Sequence, residues 1–501
     1  MQPKQSYDLA VVGAGPAGLS AATTAAKAGL TVVLIDSAAQ TGGQFWRHPN
    51  EAELEHFDEA ESTGHHHWRQ YRSLRATLFQ QIKAGLIDYW PNRQVWTISA
   101  QQAAPGFLLR STATLRLHAT QSQPDDQQIV SARRLVLATG AADRQLPVPG
   151  WDLPGVMAAG GVQAMVKANQ IAPGTRAVVA GTGPFLLPVA AGLAEIGVKV
   201  LAVCEANSPT RWLPHLAAAL PQGGKAVEAV QYATAFARHR IPYKLRTIVR
   251  EVHGTDQVSG VTLSGIEQRG RVTSKSRRLD VDLVALGWGF TPALELIIGL
   301  GAKTKVDLDG SLVAVVDSWQ RSSVPGLYIA GEATGVGGSV QALKEGELAG
   351  RSAVRETAAV SQTEPQDRRL ARAVGRSGRF AAALHQAYPV PEQWSSWLTA
   401  ETIVCRCEET SFAELSESMA WQGESTPRLT KLTSRAGMGW CQGRICGFAT
   451  SQLSAQGKGC QASTEQLAPI QKRPIAAPLS LAELAQLDVT ETPQESEGRH
   501  V

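Results

Sequence analysis

Residues 7–36 read YDLAVVGAGPAGLSAATTAAKAGLTVVLID, and the fold is decided there. Residues 7–12 are a short apolar run ending in glycine, which predicts a buried parallel strand. Residues 16–28 begin with Pro16, are rich in Ala and stop before Gly29, so a helix has its start and its stop. Residues 30–35 are a second apolar strand, closed by Asp36. Gly13, Gly15 and Gly18 stand between the first strand and the helix at GxGxxG spacing, with Pro16 and Ala17 among them. Gly13 permits the tight turn, Gly15 lets the backbone approach a pyrophosphate, and Gly18 lets helix and strand pack closely. The free N–H groups of the helix start point at the phosphates. Asp36 follows Gly18 by 18 residues, where a carboxylate can accept both ribose hydroxyls.

The same grammar recurs outward from this unit. Apolar strands are predicted at 135–138, 176–180, 198–203, 283–286 and 327–330, with a helix at 186–195. A Pro and Gly cluster at 147–155 reads as a linker. Strands alternating with helices give an α/β fold with parallel sheets, built on two dinucleotide-binding (Rossmann-like) domains. After about residue 355 the texture changes to a helical, arginine-rich segment, then to paired cysteines, then to a polar tail.

The chain has 501 residues, which at about 150 per domain suggests three domains. Lys plus Arg total 48 against 44 Asp plus Glu, a net charge of +4, so there is no basic field for nucleic acid. Hydrophobic residues at 43% and charged residues at 18% allow a large core and exclude global disorder. Six cysteines in such a length do not make a disulfide-stapled secreted domain. The apolar runs at 185–203 and 283–300 carry Glu195, Lys199 and Glu295, which a membrane-spanning helix would hold only at large desolvation cost. The N-terminal apolar run is too short and glycine-broken for a signal peptide. The expectation is a cytoplasmic protein with no transmembrane segment.

A second glycine turn holds Gly181 and Gly183, with Glu205 after the next strand as the ribose acid. Leu186 stands at the third glycine position and should push the helix outward. Either a nucleotide, NAD(P) or an adenylate, still binds here, or the domain is a structural relic or docking surface. No cysteine pair occupies 44–47 or 159–166, which disfavours thiol–disulfide chemistry, and Cys204 reads as a buried small hydrophobe. Cys405 and Cys407 are followed after 33 residues by Cys441 and Cys446. Four thiolates in two close pairs suit a 2Fe-2S centre. The spacing departs from the usual zinc pattern, and structural zinc is the alternative. Arg406, Arg435 and Arg444 would stabilise an anionic cluster, and Gly437, Gly439, Gly443 and Gly447 would let backbone N–H groups reach the sulfurs. Cys460 falls outside this pattern.

Further residues carry a resemblance. Gly43 and Gln44 follow the acid, Thr139 and Gly140 end a strand, and Gly331 and Glu332 precede a helix opened by Gly337 and Gly338. This set resembles the FAD domain of two-dinucleotide-binding-domain flavoproteins of the glutathione-reductase type. The resemblance implies that Glu332 serves the ribityl chain in place of the usual Asp, and that Val95 lies by the adenine. The cysteine region resembles the bacterioferritin-associated-ferredoxin-like (BFD-like) 2Fe-2S domain. With the stretches 137–140, 149–155, 331–338 and 439–446, the chain resembles the α-type subunits of opine oxidases, hydrogen cyanide synthase and D-hydroxyproline dehydrogenase. Such subunits work beside a D-amino-acid-oxidase-like FAD subunit that oxidises the amine, often with a small ferredoxin-like subunit.

The implied function is an oxidoreductase subunit that takes electrons from that partner through FAD and the cluster. The rivals are an NAD(P)H-dependent reductase and a non-catalytic scaffold with a zinc site. The implied domains are 1–155 and 286–360 for FAD, 156–285 for a degenerate NAD(P)-type domain, 361–400 as helical linker, 401–465 for the cluster and 466–501 as extended tail. His65, His66 and His67 read as a solvated loop rather than a metal site. Trp46 and Arg47 either face the flavin or pack. The arginines from Arg368 to Arg379 read as a solvated face or a partner contact. Residues 469–479 read as an extended arm, wrapping a neighbour or loose.

Overall fold

The computed structural model describes residues 6–49, 65–101, 106–114, 128–215, 223–358, 364–421, 426–456 and 462–485. The acidic run 51–61, Cys460 and the tail 490–501 lie outside the described residues. The predicted α/β architecture is present. A seven-stranded sheet is ordered Ile87–Trp90, Val32–Ile35, Ser6–Val12, Gln128–Leu137, Phe107–Ala113, Arg93–Ala100, with Leu327–Ile329 also on Gln128–Leu137. Gln128–Leu137 divides its pairing. Its first half joins Phe107–Ala113 antiparallel, and its last three residues join Leu327–Ile329 parallel. Ser6–Val12 is central and nearly all buried, which is why it reads as a continuous apolar run.

The second sheet has five parallel strands in the order Tyr243–Leu245, Lys199–Glu205, Arg176–Gly181, Leu283–Gly287, Val156–Ala158. An antiparallel meander, Thr247–Gly254, Val258–Ile266 and Val272–Leu279, shares its core. The chain crosses between the two sheets at Ala141–Asp143 and returns at Phe290–Pro292, and these crossings pair antiparallel with each other.

The helix Ser339–Thr357 lies against Pro16–Lys27. Outside it runs Pro365–Ala387, held where Asp367 pairs with Arg351 and Arg355 at 3.4 Å each. Its arginines Arg368, Arg369, Arg372, Arg376 and Arg379 are exposed. Beyond it come the helical turn Trp394–Trp397, the hairpin Ile403–Cys405 with Thr410–Ser411, and the helices Phe412–Trp421, Pro427–Ser434, Gly447–Gln456 and Thr464–Gln471. Trp394, Trp397, Cys405, Cys446 and Leu453 share one continuous core with the second sheet and the meander. Among the described residues no helix is long and apolar enough to cross a membrane.

Three local readings need correction. The 147–155 stretch is no free linker: Trp151 is fully buried and donates to the Ile403 carbonyl at 2.5 Å, and Gly150 abuts the Val252 carbonyl. The histidines are no solvated loop. His65 is 2% exposed, its Nε2 bonds to the Arg47 carbonyl, and burial with the Lys167 charge pulls its pKa down to about 4. His66 bonds to the Tyr232 hydroxyl at 2.6 Å; only His67 is open to solvent. The arm wraps its own chain. Part of it is the helix Thr464–Gln471, which runs through Pro469, and the Ala476 N–H donates to the Trp96 carbonyl at 2.8 Å.

Candidate functional site

The first glycine turn is shaped as its residue types demand. Gly13 has φ +102°, and a Cβ there would collide with the Ala138 carbonyl. A Cβ on Gly18 would collide with the Gly13 carbonyl, so helix and turn touch backbone to backbone. Gly15 has only the Cα of Gly43 near its open side, and Gly43 is itself left-handed at φ +59°. Among the described residues, two glycines thus form a cradle walled mainly by backbone. Pro16 is the first residue of Pro16–Lys27, where its missing N–H costs nothing. Asp36 is half-buried and accepts from the Ala14 and Ala38 N–H groups. Burial pushes its carboxyl above the ordinary range, against those two bonds.

The other predicted residues gather around this turn, with differences. The Arg93 N–H donates to the Asp36 carbonyl at 2.9 Å, and Val95 is buried two residues further along the same strand. Thr139 donates to the Ala293 carbonyl at 2.6 Å and Gly140 adopts φ +73°. Gln44 is exposed and takes a bond from Arg47. Trp46 is wholly buried, 5.2 Å from Tyr71, with its indole N–H on the His66 carbonyl, so it packs. Gly331 sits on Ala17, where a Cβ would come within 3.1 Å of the Ala17 methyl. Glu332 accepts from the Gly338 N–H at 3.0 Å, at the start of Ser339–Thr357. Burial raises its carboxyl to about 7.

One carboxylate escaped the sequence reading. Glu345, on the same helix, takes the Gly331 N–H at 2.8 Å, the Thr334 hydroxyl at 3.0 Å and the Gln341 amide at 2.7 Å. It holds the late glycine turn in shape, and burial raises it also to about 7. A fourth charged group, Asp143, accepts from the Gly160 N–H and faces Arg47 across the crossing between the sheets.

The second glycine turn is different. Gly181 abuts the Gly287 carbonyl, and Leu186 is fully buried with its methyl against Gly287 and near Ala159. The oversized residue is thus accommodated by a glycine on the neighbouring strand. Glu205 is 1% exposed and accepts from Thr182 Oγ1 at 2.9 Å, the Gly183 N–H at 2.8 Å and the Asn207 N–H at 2.8 Å. Burial raises its carboxyl. Cys204, its neighbour, is buried and its thiol is pushed up to about 12.

The four cysteines converge from two places. Cys405 ends a strand of the hairpin and Cys407 is exposed in its turn; Cys441 and Cys446 lead into Gly447–Gln456. Cys446 hydrogen-bonds to Cys405 and Cys441, which pulls Cys405 down to about 6 and Cys441 to about 4 and pushes Cys446 well up. Burial raises Cys407, which contacts Cys441. The Gly437 N–H points at Cys405 Sγ, 3.5 Å away, and a Cβ on Gly439 would collide with that of Cys407. The expected arginines are engaged elsewhere. Arg406 lies over Trp151, Arg435 pairs with Glu408 at 2.8 Å, and Arg444 pairs with Glu295 at 3.0 Å. Arg473, unread in the sequence, pairs with Glu295 and acts electrostatically on Cys441. Trp440, next to Cys441, is 76% exposed.

A mixed sheet and a parallel one, a paired crossing between them and a glycine cradle facing an acid define an oxidoreductase of the two-dinucleotide-domain class. The chain belongs to the pyridine nucleotide-disulphide oxidoreductase family, whose description matches residues 7–355. Among its relatives, hydrogen cyanide synthase subunit HcnB of Pseudomonas aeruginosa is 30% identical over 448 residues, 88% of this chain and 92% of that protein. An opine oxidase subunit of Agrobacterium tumefaciens is 30% identical over 492 residues, 97% of this chain and 92% of that protein. The structure of L-proline dehydrogenase from P. horikoshii shares the fold, with a TM-score of 0.63 and 20% identity over 96% of this chain and 80% of that one.

Proposed function

We propose that this chain is the FAD- and 2Fe-2S-containing electron-transfer subunit of a multisubunit dehydrogenase acting on CH–NH bonds of amino acids or opines. The observation that carries this reading is one body holding both an open glycine cradle with its acid and four converging thiols. The relatives are named as subunits, one of hydrogen cyanide synthase and one of an opine oxidase, which supports a partner that oxidises the amine. A D-amino-acid-oxidase-like FAD subunit fits that role, with a small ferredoxin-like subunit as a further member. When bound, the flavin accepts electrons as a pair and the cluster passes them singly.

Gly13, Gly15, Pro16, Ala17, Gly18 and Asp36 would hold the pyrophosphate and ribose of FAD, with Gly43, Gln44, Val95, Thr139, Gly140, Gly331 and Glu332 around the rest. Cys405, Cys407, Cys441 and Cys446 would hold the cluster. The C-x-C and C-x4-C spacings depart from the usual zinc pattern, which supports the cluster over zinc.

The test is cofactor analysis of the purified full chain. A flavin absorbance with iron and acid-labile sulfide in equal amounts is expected. Zinc without iron, or a chain lacking flavin, would overturn the proposal.

A further inference from the structure

The two glycine turns of this chain are copies of one device in opposite states. At the first, Gly15 and Asp36 are partly open to solvent. At the second, both Gly183 and Glu205 are buried. The second cover is identifiable. Beyond Pro365–Ala387 the chain passes directly over the turn, and the Tyr388 Cβ lies 4.0 Å from where a Cβ on Gly183 would be. A dinucleotide phosphate must come within about 3 Å of that backbone, in the same space. Asn207 donates its side-chain amide to the Pro389 carbonyl at 2.9 Å and to Thr182 Oγ1 at 2.7 Å. Trp212 packs on the same segment, 6.2 Å from the Tyr388 ring and 6.0 Å from that of Phe380.

The cover is anchored at both ends. Upstream, His385 bonds to the Val336 carbonyl at 2.9 Å. Downstream, the Gln393 N–H donates to the Arg269 carbonyl at 2.9 Å, Pro391 lies on Gly270, and Trp397 donates to the Gly270 carbonyl at 2.8 Å. Inside, Glu205 spends its oxygens on its own loop, and the Gly183 N–H that a phosphate would need is already donated to it.

We propose that residues 388–389 form a built-in cover that excludes NAD(P)H from the second nucleotide cleft, and that Tyr388 and Asn207 set this chain's electron-donor specificity. The cover removes pyridine nucleotide as a competing donor, so electrons enter only from the partner named in the proposed function. The exclusion itself rests on geometry and stands whether or not that function does.

The test uses the full chain and NADH as the probe. Titration followed by nucleotide fluorescence should show no saturation up to about 1 mM, the upper end of ordinary substrate constants. The paired substitution Tyr388→Gly and Asn207→Ala should speed hydrogen exchange at residues 181–183 and tighten NADH binding at least about tenfold. Saturation of the unaltered chain at micromolar NADH would overturn the proposal. So would faster exchange with no gain in affinity, or unchanged exchange, which would mean that these two residues do not hold the cover. Flavin content is measured separately. A chain without flavin would refute the proposed function and leave the binding result intact.

Discussion

Glu332 and Glu345 are carboxyls that the folded chain keeps from ionising easily. Both move from an ordinary 4.5 up to about 7, chiefly because burial disfavours the charge. Between those values the folded chain holds protons that the unfolded chain has released. Their contribution to stability therefore falls as pH rises from about 4.5 to about 7, and this loss is complete above it. His65, Cys405 and Cys441, shifted downward, act in the opposite direction, so the glutamate share is read by comparing two flavin-free proteins across about pH 5 to about pH 8. Glu332→Gln keeps an acceptor for the Gly338 N–H and removes the titration, so relative to the unaltered chain it should gain melting temperature as pH rises across that window. Parallel pH profiles in the two proteins would sink the assignment. Glu332 was legible in the sequence because it follows a glycine at a strand end. Glu345 was not, since a helical Glu is usually solvated. Only the fold reveals that three donors converge on it.

At the scale of elements, the cradle depends on how two helices cross. A Cβ on Gly346 of Ser339–Thr357 would collide with the Ala17 carbonyl, and one on Gly350 would come 2.7 Å from that of Ala21. The helix that opens at Gly338 is thereby drawn against the helix that opens at Pro16. Gly346→Ala should force them apart, costing about 1–3 kcal/mol of stability and weakening flavin retention. Gly375, on the outer face of Pro365–Ala387, has open space around it. Gly375→Ala should stabilise by about 0.4–1 kcal/mol, because Ala narrows the unfolded ensemble at no steric cost. Denaturant melts of both variants check the pair; stabilisation by both would mean that helix propensity rather than close approach decides. The helices themselves were legible from their caps and apolar spacing. Their crossing left one sign, two glycines four apart in a helix interior, where each costs about 1 kcal/mol unless close packing requires it. Leu186 taught the reverse lesson. It looked incompatible with close packing because Gly287, its complement, stands a hundred residues away on another strand.

Over the whole molecule, the cysteine segment is joined to the nucleotide sheets rather than tethered to them. Paired cysteines could be read from spacing, but their attachment rests on partners far apart in sequence. Beside the bonds of Trp151 to Ile403 and Trp397 to Gly270, Arg144 makes a joint. Its side chain is 2% exposed, and it donates to the Phe290 and Asp309 carbonyls at 3.0 Å and pairs with the Asp309 carboxylate at 2.6 Å. Its guanidinium lies 4.2 Å over the ring of Phe448, two residues after Cys446. Arg144→Ala would strip the largely buried Asp309 of its arginine, leaving His385 as its basic neighbour, a loss of about 3–5 kcal/mol that should lower the stability of the whole chain. Phe448→Leu is gentler. It removes a cation–π contact of about 0.5–2 kcal/mol and leaves the ion pair in place. Local opening of a unit follows its own contacts rather than the global stability. Hydrogen exchange should therefore quicken in Gly447–Gln456 and around Cys441, while Ser6–Val12, in the middle of the first sheet, stays protected. The cysteine segment would then open as a unit with Arg144 and Phe448 as its hinge pin. Equal acceleration in both places would mean that this contact is not a separable joint and that the chain opens only as a whole.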